Sequence, residues 1–477
     1  MSSVNRYEKL AGNTVIFAIG SFSAKLMVFL LMPLYTRVLT THDYGVMDLV
    51  VNTANLLTPL VTLSIHEAVI RFGMDKGASR REVLSIGVST VLSGFTLFLL
   101  FIPAFLHFEM ISPYTALLYL YVLAAALKSV FAQFVRAAGL VKLYVFDGLM
   151  STGTVILFNV VLLVVFRLGV YGYVTSIIVS NLISVVFLYF AARLRPFVKL
   201  SGISRRTRRA MVRYAVPLIP TSIFWWVTNV SDRYMVTYFC GAEINGLYAA
   251  AYKIPAMLTV MTAIFYQAWQ ISAVSEYGQG ESTTRFYTHI FASYTGVLFM
   301  AGSGLLLLVK PIMWVLVSPS FYSAWEYTPF LVVGEIFSAM VTFLGTFYMA
   351  ARKSAMVPVA ISVGALSNIA LNLVLIPRFG AQGAAYATML CYILAFAVRI
   401  VDVRRLVTLD TAPLRMAFSV LCLVLQAAVL MLEVRYQALI QLLLALGVFA
   451  LNRKALLAII ARALAKVGLL TVPDRTD

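Results

Sequence analysis

The chain has 477 residues, of which 61% are hydrophobic and 12% charged, with a mean hydropathy of +0.92; soluble globular chains run at roughly 45–50% and ~25%. Water is therefore excluded as the solvent for most of this surface, and at ~20 apolar residues per spanning helix the composition supplies about fourteen spans with little left for a soluble domain. The formal net charge of +18 would point to nucleic acid in a soluble protein, but here it asks which face of the bilayer holds the cations, and membrane lipids rather than nucleic acid are the expected partners.

The polar segment 1–10 runs straight into a full-length apolar stretch, with no short apolar core and small-residue cleavage site, so the first span is expected to be retained. Apolar runs between charges and turn residues place spans near 11–36, 43–70, 83–107, 114–137, 142–166 and 171–193, and a second six near 213–239, 245–277, 285–309, 325–350, 354–377 and 382–401. A last pair falls near 413–432 and 436–451, and the tail from Arg453 to Leu470, with apolar residues at helical spacing and interspersed cations, reads as an interfacial amphipathic helix. Backbone groups in hydrocarbon must be bonded within their own segment, so spans of this length are helices and the fold class is all-α integral membrane. Pro33, Pro59, Pro217, Pro220, Pro255 and Pro358 fall inside expected spans, where each removes a helix hydrogen bond and bends the axis.

The count of Lys and Arg in alternate loops sets the orientation: roughly 28 fall on the side of the N-terminus and 5 on the other. Both termini are therefore expected in the cytoplasm. The basic segment 193–213 is the natural connector between two halves. The organisation expected is an N-terminal lobe over 1–200, a C-terminal lobe over 201–409, and a final helix pair with its cytoplasmic tail over 410–477.

An internal repeat supports two lobes in parallel relation around a central cavity. Arg167-Leu-Gly-Val-Tyr-Gly172 matches Arg378-Phe-Gly-Ala-Gln-Gly383, and each is preceded by an asparagine-bearing helix, with Asn159 and Asn372. A weaker echo sets the segment from Leu39 to Gly45 against that from Phe239 to Gly246, and the two offsets, about 211 and 201 residues, agree within loop slack.

Ionisable groups at membrane depth cost at least ~2.5–3.5 kcal/mol each on insertion scales, so those retained face a partner or a wet cavity. Lys25, Lys128, Arg233 and Lys253 lie at depth, with Glu67, Asp147, Asp232 and Glu335 as the acids of comparable position. A cavity lined by the four cations attracts a phosphate or diphosphate, for which Lys is a point charge and Arg a bidentate clamp. Asn229 stands four residues before Arg233, and Asn368 four before Asn372, which gives polar stripes on single helical faces that extend the candidate binding set. Glu67, Asp147 and Asp232 are the candidates for coupling to an ion gradient. His66 and Glu67 are adjacent and expected to point about 100° apart on a helix, as helix-end packing.

The four histidines are scattered, and no P-loop, G-x-S-x-G or H-E-x-x-H pattern occurs. Neither an enzyme nor a bound cofactor is expected. Cys240, Cys391 and Cys422 stand alone in apolar stretches, the pattern of small packers rather than metal ligands.

The sequence resembles the polysaccharide-export branch, the O-antigen flippase-like proteins, of the multidrug/oligosaccharidyl-lipid/polysaccharide exporter superfamily. The residues that carry the resemblance are Asn13-Thr-Val-Ile-Phe, Pro33-Leu-Tyr-Thr-Arg37, Asp43-Tyr-Gly45, Asp232-Arg-Tyr-Met, Gly246-Leu-Tyr-Ala-Ala-Ala-Tyr-Lys253, and the run from Asn372 to Ala387. It implies two six-helix lobes, alternating access, and an undecaprenyl-diphosphate-linked oligosaccharide carried from the inner to the outer leaflet of a bacterial inner membrane, in company with a polysaccharide polymerase and a chain-length regulator. It also implies that basic residues on the first and seventh spans, here Lys25 and Arg233, line a cationic lumen. The rival readings are a cation-coupled drug or metabolite antiporter of the same superfamily and a membrane polysaccharide polymerase, for which the outer loops are short.

Overall fold

The computed structural model describes residues 29, 31–75, 79–198, 203–275, 281–351, 357–432 and 434–466. Every regular element among them is helical, as the apolar patterning requires. Nine helices of the described residues are long and apolar enough to cross a membrane, ten when one bent pair is taken as a single span. The chain divides into two compact units, Met1–Ala249 and Ala250–Asp477.

The first unit opens with α1 (Met32–Val38), α2 (Thr41–Val61) and α3 (Ile65–Gly73), and continues with α4 (Arg80–Phe98), which runs through a 3-10 turn into α5 (Ile102–Leu106). Next come α6 (Thr115–Ala137), α7 (Val141–Asn159) with a π turn at Val160–Val165, α8 (Gly169–Ala191), α9 (Arg205–Ala215), α10 (Ile219–Cys240) and α11 (Ala242–Ala251), within which the two units meet. Helix starts follow capping chemistry. The Thr40, Ser79 and Ser204 hydroxyls accept the backbone N–H groups of Asp43, Glu82 and Thr207, each bonding an otherwise orphaned first-turn donor.

The expected span 43–70 is broken. α2 and α3 meet at 57°, because Leu63 and Ser64 adopt left-handed backbone (φ 52° and 50°). Pro59 lies inside α2 just before the break. Pro33, Pro220, Pro255 and Pro358 instead occupy first turns, where a missing N–H costs nothing, and Pro217 sits in the 3-10 turn before α10. Pro255 explains why the expected span 245–277 is two helices, α11 and α12 (Pro255–Ser275), separated at Tyr252–Ile254.

Glycine sets the closest helix crossings. A Cβ on Gly45 would run into the Ala242 carbonyl and one on Gly246 into the Thr41 carbonyl, a reciprocal pair at a constant offset of 201 residues. Gly172 meets the Leu162 carbonyl in the first unit as Gly383 meets that of Leu375 in the second. Four glycines of the sequence echo, Gly45, Gly246, Gly172 and Gly383, thus sit where a Cβ would meet a backbone carbonyl, whereas Gly169 has open space.

The basic connector is not a free linker. α9 buries Met211 and Ala215 in one core with Ile65, Val69, Val83 and Val130. The Thr207 hydroxyl donates to Glu82 Oε2 at 2.9 Å, and the Ser85 hydroxyl to the Phe197 carbonyl at 3.0 Å.

The second unit contains α12, α13 (Glu281–Leu316), α14 (Thr328–Ala350), α15 (Val357–Phe379), α16 (Ala381–Val403), α17 (Pro413–Leu432) and α18 (Gln437–Lys466). Its core is aromatic: Phe265, Trp269, Tyr294 and Phe343 stack, Trp269 on Phe343 at 4.4 Å, and the Trp269 indole N–H donates to Thr346 at 2.7 Å. α17 and α18 are joined by buried polar contacts, with the Gln441 amide donating to the Gln426 carbonyl at 2.6 Å and Ser303 of α13 donating to Gln426 Oε1 at 2.8 Å. The last expected span and the expected tail helix form one continuous helix, α18.

Candidate functional site

A cavity of about 730 Å³ opens within the first unit between α2, α6, α8 and α10. Among the described residues the one Lys or Arg lining it is Lys128, and its polar wall includes Asn55, Thr58, Gln133, Asn181 and Ser222. Trp225 and Trp226 form an aromatic side, with Trp225 62% exposed and the Trp226 indole N–H donating to the Asn52 carbonyl at 3.0 Å.

Lys128 is held from behind by hydroxyls and an amide rather than by an acid. Its ammonium donates to Ser151 Oγ and, at 3.2 Å, to Asn181 Oδ1. Ser151 in turn contacts Ser180 at 3.1 Å, and Ser180 contacts Thr154 at 2.8 Å, so a chain of hydroxyls along α7 and α8 fixes the lysine. Asp147 lies one turn before Ser151 on α7, buried, and accepts from Ser184. No ion pair joins Asp147 to Lys128 among the described residues. The lysine's direct partners are thus neutral acceptors, the buried Asp147 carboxylate acts on it only through space, and its remaining N–H can meet a cavity-bound anion.

Arg233 is placed differently. It pairs with Asp48 of α2, and both side chains are largely buried, at 14% and 12% exposure. Around this pair, Tyr248 donates to Asp232 Oδ2 at 2.8 Å, Tyr234 and Thr53 share a 2.6 Å hydrogen bond, and the Asn245 amide donates to the Gly45 carbonyl at 3.1 Å. Asp48 is the residue that sequence reasoning missed. The available signal was its position on one helical face with Asn52 and Asn55, at spacings of four and seven.

Lys25 lies outside the described residues. Lys253 stands in the non-helical break between α11 and α12. Asn229 donates to the Trp225 carbonyl of its own helix at 2.7 Å. Asn368 and Asn372, both fully buried in the second unit, bond to each other at 2.9 Å, and Asn368 reaches Cys391 of α16 at 3.6 Å. Asn159 has a comparable role in the first unit, donating to the Tyr35 hydroxyl at 2.8 Å and accepting from Ser176 at 2.7 Å. His66 and Glu67 do meet, at 3.4 Å, on the exposed side of α3, contrary to the divergence expected of neighbours on a helix. Glu335 accepts from Thr259 at 2.7 Å. Arg399 is buried in α16, donating to the Val341 carbonyl at 2.8 Å and lying over the Tyr348 ring.

Among solved structures, the chain is similar to the lipid II flippase MurJ in an inward closed conformation, with 13% identity over 94% of this chain and 99% of that one and a TM-score of 0.70. It is similar also to an inward-facing multidrug resistance MATE transporter of the MOP superfamily, with 11% identity, 81% and 98% coverage and a TM-score of 0.61. A MOP superfamily transporter from Pyrococcus furiosus, whose title speaks of a reverse-polarity binding pocket, matches at 12% identity, 83% and 96% coverage and a TM-score of 0.54. At these identities the likeness is one of fold. No curated protein sequence matches significantly. The model of the polysaccharide biosynthesis protein family matches residues 10–270, more than half of the chain and all the helices that wall the cavity. The chain belongs to the polysaccharide biosynthesis protein family.

Proposed function

We propose that this protein flips an undecaprenyl-diphosphate-linked oligosaccharide from the inner to the outer leaflet of a bacterial inner membrane, with both termini in the cytoplasm. The observation that carries the reading is Lys128, a cation within a membrane-spanning helix that faces a roomy cavity, is steadied by Ser151 and Asn181, and touches no acid among the described residues, Asp147 acting on it only through space. A drug cation would be repelled by such a site, whereas a diphosphate gains a charge-assisted contact. The neighbouring amides and the Trp225 and Trp226 faces suit the hydroxyls and apolar ring faces of a sugar. Family membership and the shared fold support a membrane transporter over an enzyme.

In this mechanism Lys128 takes the diphosphate, and Lys25, Arg233 and Lys253 remain the proposed further cationic contacts. The lobes then rock to exchange access. An inside-negative potential favours outward movement of an anion by ~2.3 kcal/mol per charge per 100 mV. Asp147 and Asp232, both buried, are the carboxylates available for coupling to protons or sodium. A polymerase and a chain-length regulator are the partners that would use the product.

The test is exchange of a fluorescent undecaprenyl-diphosphate oligosaccharide by the purified protein in proteoliposomes, scored with a membrane-impermeant quencher. Exchange above that of protein-free vesicles is expected. No exchange of several such saccharides, with ion gradients and potential applied, would overturn the proposal in favour of the antiporter.

A further inference from the structure

α9 carries five arginines in eleven residues and no acid. Arg205, Arg209 and Arg213 stand four residues apart and Arg206 falls beside them, so four guanidiniums share an arc of about 100° along about 12 Å of helix. Met211 and Ala215 point the other way, into the core shared with Ile65 and Val69 of α3. All four arginines are exposed, and none makes an ion pair among the described residues. Glu82, the acid that α9 touches, already accepts from the Thr207 hydroxyl at 2.9 Å.

On its own the helix is destabilised by this arrangement. Like charges at i, i+4 repel, and Arg205 and Arg206 occupy the first turn, where the positive end of the helix dipole disfavours cations. Positive-inside anchoring asks only for cations in the connector, not for a folded stripe of them. Counter-charge from outside the chain relieves both penalties.

The level of α9 selects the source of that charge. Thr207 is fastened to the first turn of the span Arg80–Leu106, and the turn that follows the span Gly169–Ala191 is held by the Ser85 bond to the Phe197 carbonyl. Span ends lie at the lipid headgroups. Apolar side chains are exposed beside the arginines: Tyr214, 42% exposed, packs on Phe72 of α3 with ring centroids 6.1 Å apart, and Met74, at the end of α3, is 67% exposed. Guanidiniums next to exposed apolar side chains match the boundary between phosphates and acyl carbon. We infer that α9 is a docking surface for acidic phospholipid headgroups, whose phosphates are held by Arg205, Arg206, Arg209 and Arg213. The planar fork of arginine meets two phosphate oxygens at once. With the orientation proposed above, these headgroups belong to the cytoplasmic leaflet, and the surface is separate from whatever the Lys128 cavity carries.

Native mass spectrometry of the full-length protein tests it, with dioleoyl phosphatidylglycerol and dioleoyl phosphatidylcholine as probes. One variant combines Arg205→Gln, Arg206→Gln and Arg209→Gln; the control combines Arg167→Gln, Arg378→Gln and Arg435→Gln, which removes the same charge from other exposed positions. A cation beside an anionic lipid surface contributes about fivefold in affinity. The wild type is therefore expected to bind phosphatidylglycerol about tenfold or more tighter than phosphatidylcholine, the α9 variant to lose most of that preference, and the control to keep it. Equal binding of the two lipids by the wild type, an α9 variant with the wild-type preference, or a control that loses as much would each overturn the surface as a lipid site. Lys at the same three positions keeps the charge without the fork and should retain part of the preference; a Lys variant as poor as the Gln variant would overturn the reading by charge. A polyglutamate peptide that binds the wild type more tightly than phosphatidylglycerol does would overturn it in favour of an acidic protein partner.

Discussion

Lys128→Met replaces the cavity cation by an unbranched apolar side chain of similar length. Two consequences follow from the same contacts and have different sizes. A hydrogen bond to a charged group contributes ~1.5–3 kcal/mol, so loss of the diphosphate contact is expected to slow flipping at low substrate by roughly 10- to 150-fold. Folding is affected much less. Ser151 keeps Ser180 as partner, and only Asn181 Oδ1 loses its donor, a cost of about 1 kcal/mol. Removal of a cation from membrane depth offsets part of that, while the buried Asp147 loses a favourable charge interaction. The assay is initial flipping rate against substrate mole fraction in proteoliposomes, with the melting temperature in detergent measured alongside. Lys128→Arg should recover part of the rate, since it keeps the charge while changing the fit to Ser151. Wild-type rates from the Met variant at low substrate would refute the assignment of Lys128 as the anion contact.

The Arg233–Asp48 pair gives a thermodynamic test. Asp48→Asn or Arg233→Gln alone should destabilise by ~3–5 kcal/mol, because each leaves a largely buried charge without its counterpart, and the double variant should recover much of the loss; additive losses in thermal unfolding would show that the pair is not coupled. Gly45→Ala and Gly246→Ala each drive a Cβ into a backbone carbonyl and should each cost ~1–3 kcal/mol, seen as lower melting temperature and poorer recovery on size exclusion. Gly148→Ala on α7, where a Cβ would meet nothing within 4 Å, is the control and should be neutral or stabilising.

Fold class, several of the repeat glycines and most of the spans within the described residues were legible in the sequence because each follows from a local rule: apolar length, backbone bonding in lipid, and the need for a missing Cβ at a crossing; the first expected span, 11–36, lies almost wholly outside the described residues. Breaks were harder to place. Pro59 marks the right neighbourhood, but the actual break at Leu63 and Ser64 is two non-glycine residues in left-handed backbone, for which no residue type is diagnostic. Lys128 could be recognised from its depth alone, whereas the hydroxyl chain that fixes it is spread over α7 and α8 and comes together only in the fold. Asp48 was easy to pass over for a related reason. It lies about one turn inside the expected start of its span, where an acid ordinarily faces water, and only the partner from α10, 185 residues away, shows that it does not.

The break between α2 and α3 also has a mechanical meaning. A continuous helix acts as a lever: displacing one end moves the other. At 57°, with two residues outside helical backbone, this span is an elbow instead. The arm that carries Asp48 is clamped to α10, while the arm that carries His66, at the wall of the lysine cavity, is packed through Ile65 and Val69 into a different core, with α4, α6 and α9. Load at one membrane face therefore need not reach the other, and a carrier that must never be open on both sides at once gains from walls whose two halves answer separately.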